Sequence, residues 1–254
     1  MSMQSRPWKV LMSVAALSAG IAFAPLTAKA QSFTDAQKDE IGKVVHDYLI
    51  AHPEVLRDAM IELDKRQKAD EAANQQKVIS NSAATLFNSP NQAVLGNPNG
   101  KVTLVEFFDY NCGYCKHALA DLAQVMKQDP DVRVVLKDFP VLGPGSVEAA
   151  RVAYAVRNQF TGEKFWEFHQ KLLGSRGPVG KAQAMAVAKD MGADMDRIEK
   201  DSQAPSVNAG LNETLQLGDA LSLTGTPSYV VGHSVIVGAV GYDALQQKIK
   251  DAQN

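Results

Sequence analysis

The sequence contains few cysteines: a chain of 254 residues has two, Cys112 and Cys115. A disulfide across a two-residue spacer closes so small a loop that it removes little unfolded-state entropy, which argues against a purely structural role. A zinc site needs about four ligands, and no second cysteine pair exists to supply them. Covalent haem attachment requires a histidine directly after the second cysteine, where this chain has Lys116. Among these interpretations the cysteine pair favours redox chemistry.

The sequence also lacks an excess of charge of either sign. Its formal net charge is −2, from 26 basic and 28 acidic residues. A nucleic-acid binder usually carries a basic patch, so this class is disfavoured and no nucleic-acid partner is expected. The five histidines are scattered without a metal motif, and we interpret them as surface residues or as residues whose ring nitrogens have hydrogen-bond partners (satisfied histidines).

Long apolar runs are missing except near the N terminus. A basic start, an apolar segment over residues 10–23 and the small-residue site Ala28-Lys29-Ala30 predict a cleaved signal peptide over residues 1–30. A retained membrane anchor is the alternative, which the shortness of the segment and Pro25 disfavour. Export to an oxidising compartment suits disulfide chemistry, and the bacterial character of the signal predicts a periplasmic location.

The stretch from Val102 to Met126 reads as a strand, a sharp turn and a helix. Val102 to Phe108 is almost continuously apolar, which predicts a strand covered on both faces. Cys112 lies at or before the helix start, where we expect the chain to be exposed. The predicted buried face of the helix carries residues at spacings of four, three and four: Cys115, Leu119, Leu122 and Met126.

This position predicts a reactive sulfur. The first turn of a helix has free N–H groups and the positive end of the peptide dipole, and both stabilise an anion. Because the thiolate is the species that attacks a disulfide, Cys112 is the candidate nucleophile and Cys115 the resolving thiol. Glu106 lies in the strand, where a buried carboxylate is costly unless it is paired or useful. It could exchange a proton with Cys115, or it could simply pair with Lys137 on the neighbouring strand.

Together these features resemble the bacterial DsbA-like group of thioredoxin-fold enzymes. The shared pattern is a strand, a Cys-x-x-Cys at a helix start, an acid six residues upstream and a later Thr226-Pro227. The run from Phe107 to Lys116 is similar to the suppressor-of-copper-sensitivity protein C (ScsC-like) branch. The resemblance implies an α/β thioredoxin fold with an inserted helical domain, preceded by an N-terminal helical oligomerisation region.

The same resemblance implies roles for further residues. Pro227 would be a cis-proline lying against the cysteines, where extended substrate pairs with the neighbouring backbone of Thr226. Gly113 and Tyr114, between the cysteines, would complete the substrate-binding set. Lys137 would face the buried acid and count among the catalytic residues. No cofactor is expected other than the redox-active disulfide of the two cysteines.

Residues 31–88 are predicted to be helical. Thr34 can cap a first helix and His52-Pro53 separates it from a second, which becomes polar after Leu63. A helix without an apolar face cannot hold a globular core by itself, so the segment is either a solvated linker or an oligomerisation stalk packing through residues 33–63. Its similarity to the N-terminal region of ScsC-like proteins implies a homotrimer.

The catalytic domain is predicted to occupy residues 89–254, with a boundary near Ser89. Ala93 to Leu95 is a candidate edge strand, and Val132 to Lys137 is predicted to be a strand parallel to the one that runs from Val102 to Phe108. A helical insertion is expected over about residues 145–222, followed by a hairpin and a last helix.

The direction of the chemistry is suggested by the dipeptide between the cysteines. Strong Dsb oxidases carry a histidine there, whereas Gly113-Tyr114 and the later Thr226 resemble periplasmic disulfide isomerases. The resemblance therefore implies a disulfide isomerase or shuffling protein that acts on cysteine-containing exported proteins and is kept reduced by a membrane-bound partner. A DsbA-type dithiol oxidase is the alternative. Two thiolates also suit Cu(I), so a copper-tolerance module stays open, as does a secreted scaffold protein.

Overall fold

The computed structural model describes residues 33–253, so the predicted signal peptide lies outside the described residues. The chain divides into two compact units, the first ending at Asp58 and the second beginning at Ala59. Within the described residues, none of the helices is both long and apolar enough to cross a bilayer.

The first unit consists of helix α1, Asp35–Ala51, and the start of helix α2, Glu54–Asn81. Thr34 caps α1 as predicted: its Oγ1 accepts the Gln37 N–H, and the Gln37 side chain accepts the Thr34 N–H. No residue of α1 is buried, and its large apolar side chains lie in solvent. Among its described residues, this unit therefore exposes many large apolar side chains to solvent.

The end of α2 and the short helix α3, Ala83–Asn88, pack on the sheet of the second unit. Ile79 and Leu86 are buried in one cluster with Val105 and Phe107. Packing against the sheet thus begins some ten residues before Ser89. The domain boundary near Ser89 remains a prediction.

The sheet has five strands in the order β1-β3-β2-β4-β5. β2 and β3 are parallel, as predicted, and the other neighbouring pairs are antiparallel. The predicted edge strand is present as β1, and the central β2 buries six of its seven residues, as a strand covered on both faces should. The strands are β1 Ala93–Gly96, β2 Val102–Phe108, β3 Val132–Asp138, β4 Ser228–Val231 and β5 Ser234–Val237.

Helices connect these strands in the order expected from the resemblance. Helix α4, Gly113–Gln128, joins β2 to the parallel β3, and α10, Tyr242–Gln253, closes the chain. Five helices lie between β3 and β4, which confirms a thioredoxin fold with a helical insertion. They are α5 Pro144–Val156, α6 Gly162–Leu173, α7 Lys181–Asp190, α8 Met195–Asp201 and α9 Pro205–Ala220.

The sheet separates two apolar clusters, and β2 contributes alternate residues to each. Leu104 and Phe108 belong to the larger cluster, which includes buried residues of α4, α6 and α10. Val105 and Phe107 belong to the cluster that includes α3 and α9. Because side chains alternate along a strand, Glu106 lies on the face that carries α4.

Candidate active site

The two cysteines occupy the start of α4. Cys112 is the residue before the helix, and its N–H donates to the carbonyl oxygen of Asp109 at 3.0 Å. Cys115 lies in the first turn and is fully buried, as its position on the apolar face predicts. The helix buries this cysteine together with Ala118, Leu122 and Val125, while the predicted Leu119 and Met126 are partly buried. Both sulfurs are thiols in this structure.

The expectation that Cys112 is exposed was wrong, since 5% of this residue is accessible. The loop before β4 covers it: the Cys112 thiol donates to the carbonyl oxygen of Thr226 at 3.1 Å. The neighbouring Tyr114 is exposed instead, with 69% of its surface accessible. The Thr226-Pro227 bond is cis, as the resemblance implied. Tertiary structure therefore brings together the four predicted positions Cys112, Cys115, Thr226 and Pro227.

Glu106 lies in the middle of β2 and is 2% exposed. In the antiparallel register it pairs with Tyr229 of β4, whose hydroxyl donates to Glu106 Oε1 at 3.3 Å. Burial raises the pKa of Glu106 to about 8, so the carboxyl is mostly protonated at neutral pH. Burial also raises the pKa of the Cys115 thiol, and the negative charge of ionised Glu106 raises it further. The two groups therefore compete for protons at the site.

Lys137 does not face Glu106, and the predicted pair was wrong. In the parallel register Lys137 pairs with Phe107, one residue beyond Glu106, so its side chain lies on the opposite face of the sheet. Its Nζ donates to the carbonyl oxygen of Thr85 at 2.7 Å and lies 3.6 Å from Glu213 Oε1. Burial lowers the pKa of Lys137 to about 8. Lys137 thus links β3 to α3 and α9, away from the sulfurs.

A buried polar network before the first cysteine was missed by sequence reasoning. Asp109 Oδ1 accepts the Asn111 N–H at 2.8 Å and the Ser146 hydroxyl at 2.7 Å. The Asn111 side chain in turn accepts the Val179 N–H at 2.7 Å and donates to the Val179 carbonyl oxygen at 2.8 Å. In an Asx turn, the side chain of an Asp or Asn accepts a hydrogen bond from the backbone N–H two residues later. Knowledge of this turn could have identified Asp109 from the sequence. The network ties the cysteine loop to the helical insertion.

His169 is buried on α6, also on the α4 face of the sheet. Its Nδ1 lies 3.3 Å from the Tyr110 hydroxyl, and its ring stacks on Trp166. Its Nε2 is buried without a hydrogen-bond partner in the part of the chain that is described. Burial lowers the pKa of His169 to about 3. The interpretation of the histidines as satisfied holds for one nitrogen of this ring and was wrong for the other.

The loops around the sulfurs expose apolar side chains. The C-terminal ends of β2, β3 and β5 and the start of β4 lie at one end of the sheet, because β2, β3 and β5 run in the same direction. The Leu142 N–H donates to Asp109, and the Gly238 N–H donates to the Pro227 carbonyl oxygen at 2.8 Å. The exposed large apolar residues of these segments are Tyr114, Val141, Leu142, Val237 and Val240.

The described residues contain no cluster of three or more His, Cys, Asp or Glu side chains that could hold a metal ion. The two sulfurs are therefore what this site offers to a soft metal such as Cu(I). Chemically, the arrangement is a dithiol with one sulfur at a helix start and the other buried beside a carboxyl.

Two family models match the sequence. The DSBA-like thioredoxin domain matches residues 103–250, more than half of the chain. The copper resistance protein ScsC N-terminal domain matches residues 37–70.

Solved structures and curated proteins are also similar to this chain. A thioredoxin-like oxidoreductase from Silicibacter pomeroyi DSS-3 is 40% identical, with 67% of this chain and 96% of that one covered and a TM-score of 0.64. A linker-deletion mutant of Proteus mirabilis ScsC is 28% identical, with 89% and 99% covered and a TM-score of 0.65. Disulfide bond formation protein D of Bacillus subtilis strain 168 is 26% identical, with 63% and 76% covered. The chain spans about a quarter of the length of the Salinispora Na⁺/H⁺ antiporters that it also matches.

Proposed function

Because the chain belongs to the DsbA-like thioredoxin-domain family, we propose that it exchanges disulfides with other proteins through the thiols of Cys112 and Cys115. The observation that carries the proposal is the position of Cys112 at the start of α4, with its sulfur 3.1 Å from the carbonyl oxygen before a cis-proline. A thiolate there is stabilised by the helix N-terminus, and the adjacent backbone can pair with an extended client segment.

The exchange proceeds in two steps. The Cys112 thiolate attacks one sulfur of a client disulfide, forms a mixed disulfide and releases the other client sulfur as a thiolate. In isomerisation, another client thiolate then attacks the mixed disulfide, which restores the Cys112 thiolate and leaves a rearranged client. In reduction, the Cys115 thiolate attacks Cys112 Sγ, which releases the client sulfur and leaves the Cys112–Cys115 disulfide. The second route transfers two electrons to the client and needs a reductant to restore the dithiol.

Glu106 serves as the proton acceptor for Cys115 in this scheme. Cys115 is buried and reacts only as a thiolate, which its raised pKa disfavours. A carboxyl with a pKa of about 8 exchanges protons readily near neutral pH, as a general base should. Lys137, on the other face of the sheet, has no part in this step.

The surface around Cys112 supports a protein client. The exposed apolar side chains of the loops at this end of the sheet, with Tyr114 next to the nucleophile, suit an unfolded segment with apolar residues. Gly113, the residue after Cys112, faces open space, because a Cβ placed there would meet no atom of a non-neighbouring residue within 4 Å. Thr226 and Pro227 supply the backbone edge for that segment.

We propose isomerisation or shuffling as the direction. The Gly113-Tyr114 dipeptide and Thr226 support it, and so does the ScsC N-terminal match over residues 37–70. Isomerisation benefits from several active sites facing one cavity. We therefore also propose a homotrimer that packs through residues 33–63, located in the periplasm and kept reduced by a membrane-bound partner.

Refolding of a scrambled multi-disulfide protein tests the direction. We expect the reduced wild-type chain to restore native substrate faster than a Cys112→Ser control, which still carries Cys115. Equal recovery with the two proteins would exclude isomerisation as the function of this chain. A reduction potential close to that of the strong periplasmic oxidants would then identify a dithiol oxidase, since about 30 mV corresponds to a tenfold change in the equilibrium constant.

A further inference from the structure

We propose that Tyr229 is a positioning residue that acts through Glu106: its hydroxyl holds the carboxylate beside Cys115 and sets how readily it accepts the resolving thiol's proton. The inference rests on the proposed function, because it concerns the step in which Cys115 attacks the mixed disulfide. The sequence analysis predicted that Lys137 would face Glu106, whereas in the structure Tyr229 contacts this carboxyl.

The geometry follows from the register of β2 and β4. Glu106 and Tyr229 are directly opposed in the antiparallel pair, so their side chains extend from the same face, toward α4. Tyr229 is fully buried, and its hydroxyl donates to Glu106 Oε1 at 3.3 Å. Burial and the charge of Glu106 raise the pKa of Tyr229 far above its ordinary value, so the hydroxyl remains a donor across the whole working pH range.

The groups around this pair add negative charge when they ionise. From α4 these are Cys115, whose pKa responds to the charges of Glu106 and Cys112, and Asp121, whose charge raises the pKa of Tyr229. β3 places the apolar Leu136 opposite Glu106, and its only lysine points to the other face. α10 contributes the apolar residues Leu245 and Ile249 to the larger apolar cluster, which also contains Tyr229. A neutral hydroxyl, rather than a cation, therefore stabilises the Glu106 carboxylate.

This arrangement has a consequence for the resolving step. The Cys115 S–H proton passes to the ionised Glu106 carboxylate, the resulting thiolate attacks Cys112 Sγ, and the client leaves as a thiolate. The Tyr229 hydrogen bond favours the ionised form of Glu106, which is the form that accepts the proton. Without the Tyr229 hydroxyl, the ionised form of the buried Glu106 is less stable. At neutral pH a smaller fraction of molecules then carries the carboxylate that accepts the Cys115 proton, so fewer can resolve the mixed disulfide.

The test measures the rate at which Cys115 resolves a preformed mixed disulfide on Cys112, from pH 5 to 10, by rapid alkylation and mass analysis. We expect Tyr229→Phe to move the midpoint of the pH profile upward by about one unit and to slow resolution about tenfold at pH 7. In a Glu106→Gln background the same substitution should change the rate less than twofold. Tyr154→Phe is the matched control, because it removes a partly buried tyrosine hydroxyl that donates to Asn91 Oδ1 in another part of the domain; its profile should match the wild type.

A second measurement is made on the wild-type chain and does not depend on turnover; a variant serves only to assign the Glu106 signal. In protein labelled with ¹³C-glutamate and ¹³C-tyrosine, the Glu106 carboxyl signal, assigned by its loss in Glu106→Gln, and the Tyr229 ring signal should titrate with one midpoint. Separate midpoints, an unmoved Tyr229→Phe profile, or an equal effect of that substitution with and without the carboxylate would overturn the inference. Wild-type protein that forms no mixed disulfide with client would instead overturn the proposed function.

Discussion

Three buried ionisable side chains make the stability of the folded chain depend on pH in opposite directions. The pKa of Glu106 rises to about 8 and that of Asp138 to about 6, whereas that of His169 falls to about 3. Each shift has burial as its largest cause. Between its ordinary pKa and its raised pKa, each of the two carboxyls holds a proton in the folded chain that it loses in the unfolded chain. These groups therefore lower the stability as pH rises through that interval. His169 stays neutral where the unfolded chain binds a proton, so it removes stability as pH falls.

We predict that His169 makes the domain sensitive to acid. Between pH 6.5 and 3 the unfolded chain protonates this residue and the folded chain does not, so stability falls as pH falls. Replacing it by Phe should remove on the order of 3 kcal/mol of the loss between pH 7 and pH 4. Urea unfolding of both proteins at the two pH values measures this difference. His233→Gln, at an exposed position, should retain the wild-type loss; an unchanged loss in His169→Phe would refute the assignment.

Among the elements, the loop between β2 and α4 depends on contacts from the helical insertion. Asn111 makes two hydrogen bonds with the backbone of Val179, in the segment that precedes α7. These bonds resemble those of a short strand pair, although the partner is a side-chain amide. They fix the residue next to the nucleophile against a segment that lies 68 positions later in the chain.

We predict that Asn111→Ala destabilises the domain by about 2 kcal/mol, because it leaves the buried N–H and C=O of Val179 without their partner. Amide hydrogen exchange should become faster at Val179 and in the cysteine loop, which mass spectrometry can localise. Asn158→Ala, which removes an exposed hydrogen bond to Asp201, is the control and should change stability by less than about 0.5 kcal/mol. Equal effects of the two substitutions would show that the Val179 contact is unimportant.

At the scale of the whole molecule, most of the exposed large apolar side chains of the described residues lie between residues 33 and 63. α1 and the first turns of α2 leave many large apolar side chains in solvent, and Ile41, Val44 and Val45 of α1 border a shared surface cavity with Phe33. A monomer rarely keeps so much contiguous apolar surface, so these residues suit an interface between copies of the chain. This agrees with the proposed stalk.

We predict that Ile41→Gln with Val44→Gln lowers the mass of the particle in solution to that of one chain. The substitutions keep the helical backbone but remove apolar area that association would bury. Lys43→Gln, on the opposite side of α1, is the matched control and should leave the oligomer intact. Light scattering after size-exclusion chromatography measures the masses. A wild-type chain that is already monomeric, or a double variant of unchanged mass, would contradict the stalk.

Much of the architecture could be predicted from local pattern. The apolar run of Val102 to Phe108 became β2, the Thr34 cap began α1, and the spacing of Cys115 and Leu122 identified the buried face of α4. These features depend on neighbours within a few residues, where period and capping chemistry act. The cysteine pair and the signal-like N terminus likewise needed only the sequence to suggest the chemistry and the compartment.

Contacts between distant segments decided the rest. Sequence could place Glu106 and Lys137 on neighbouring strands, but the register, offset by one residue, put their side chains on opposite faces. The same register logic brought Tyr229 to Glu106, and the loop at Thr226 covered a sulfur that local reasoning expected to be exposed. The sequence by itself determined which groups can do the chemistry. Only tertiary structure decided which groups meet, because side-chain facing changes completely with a shift of one position.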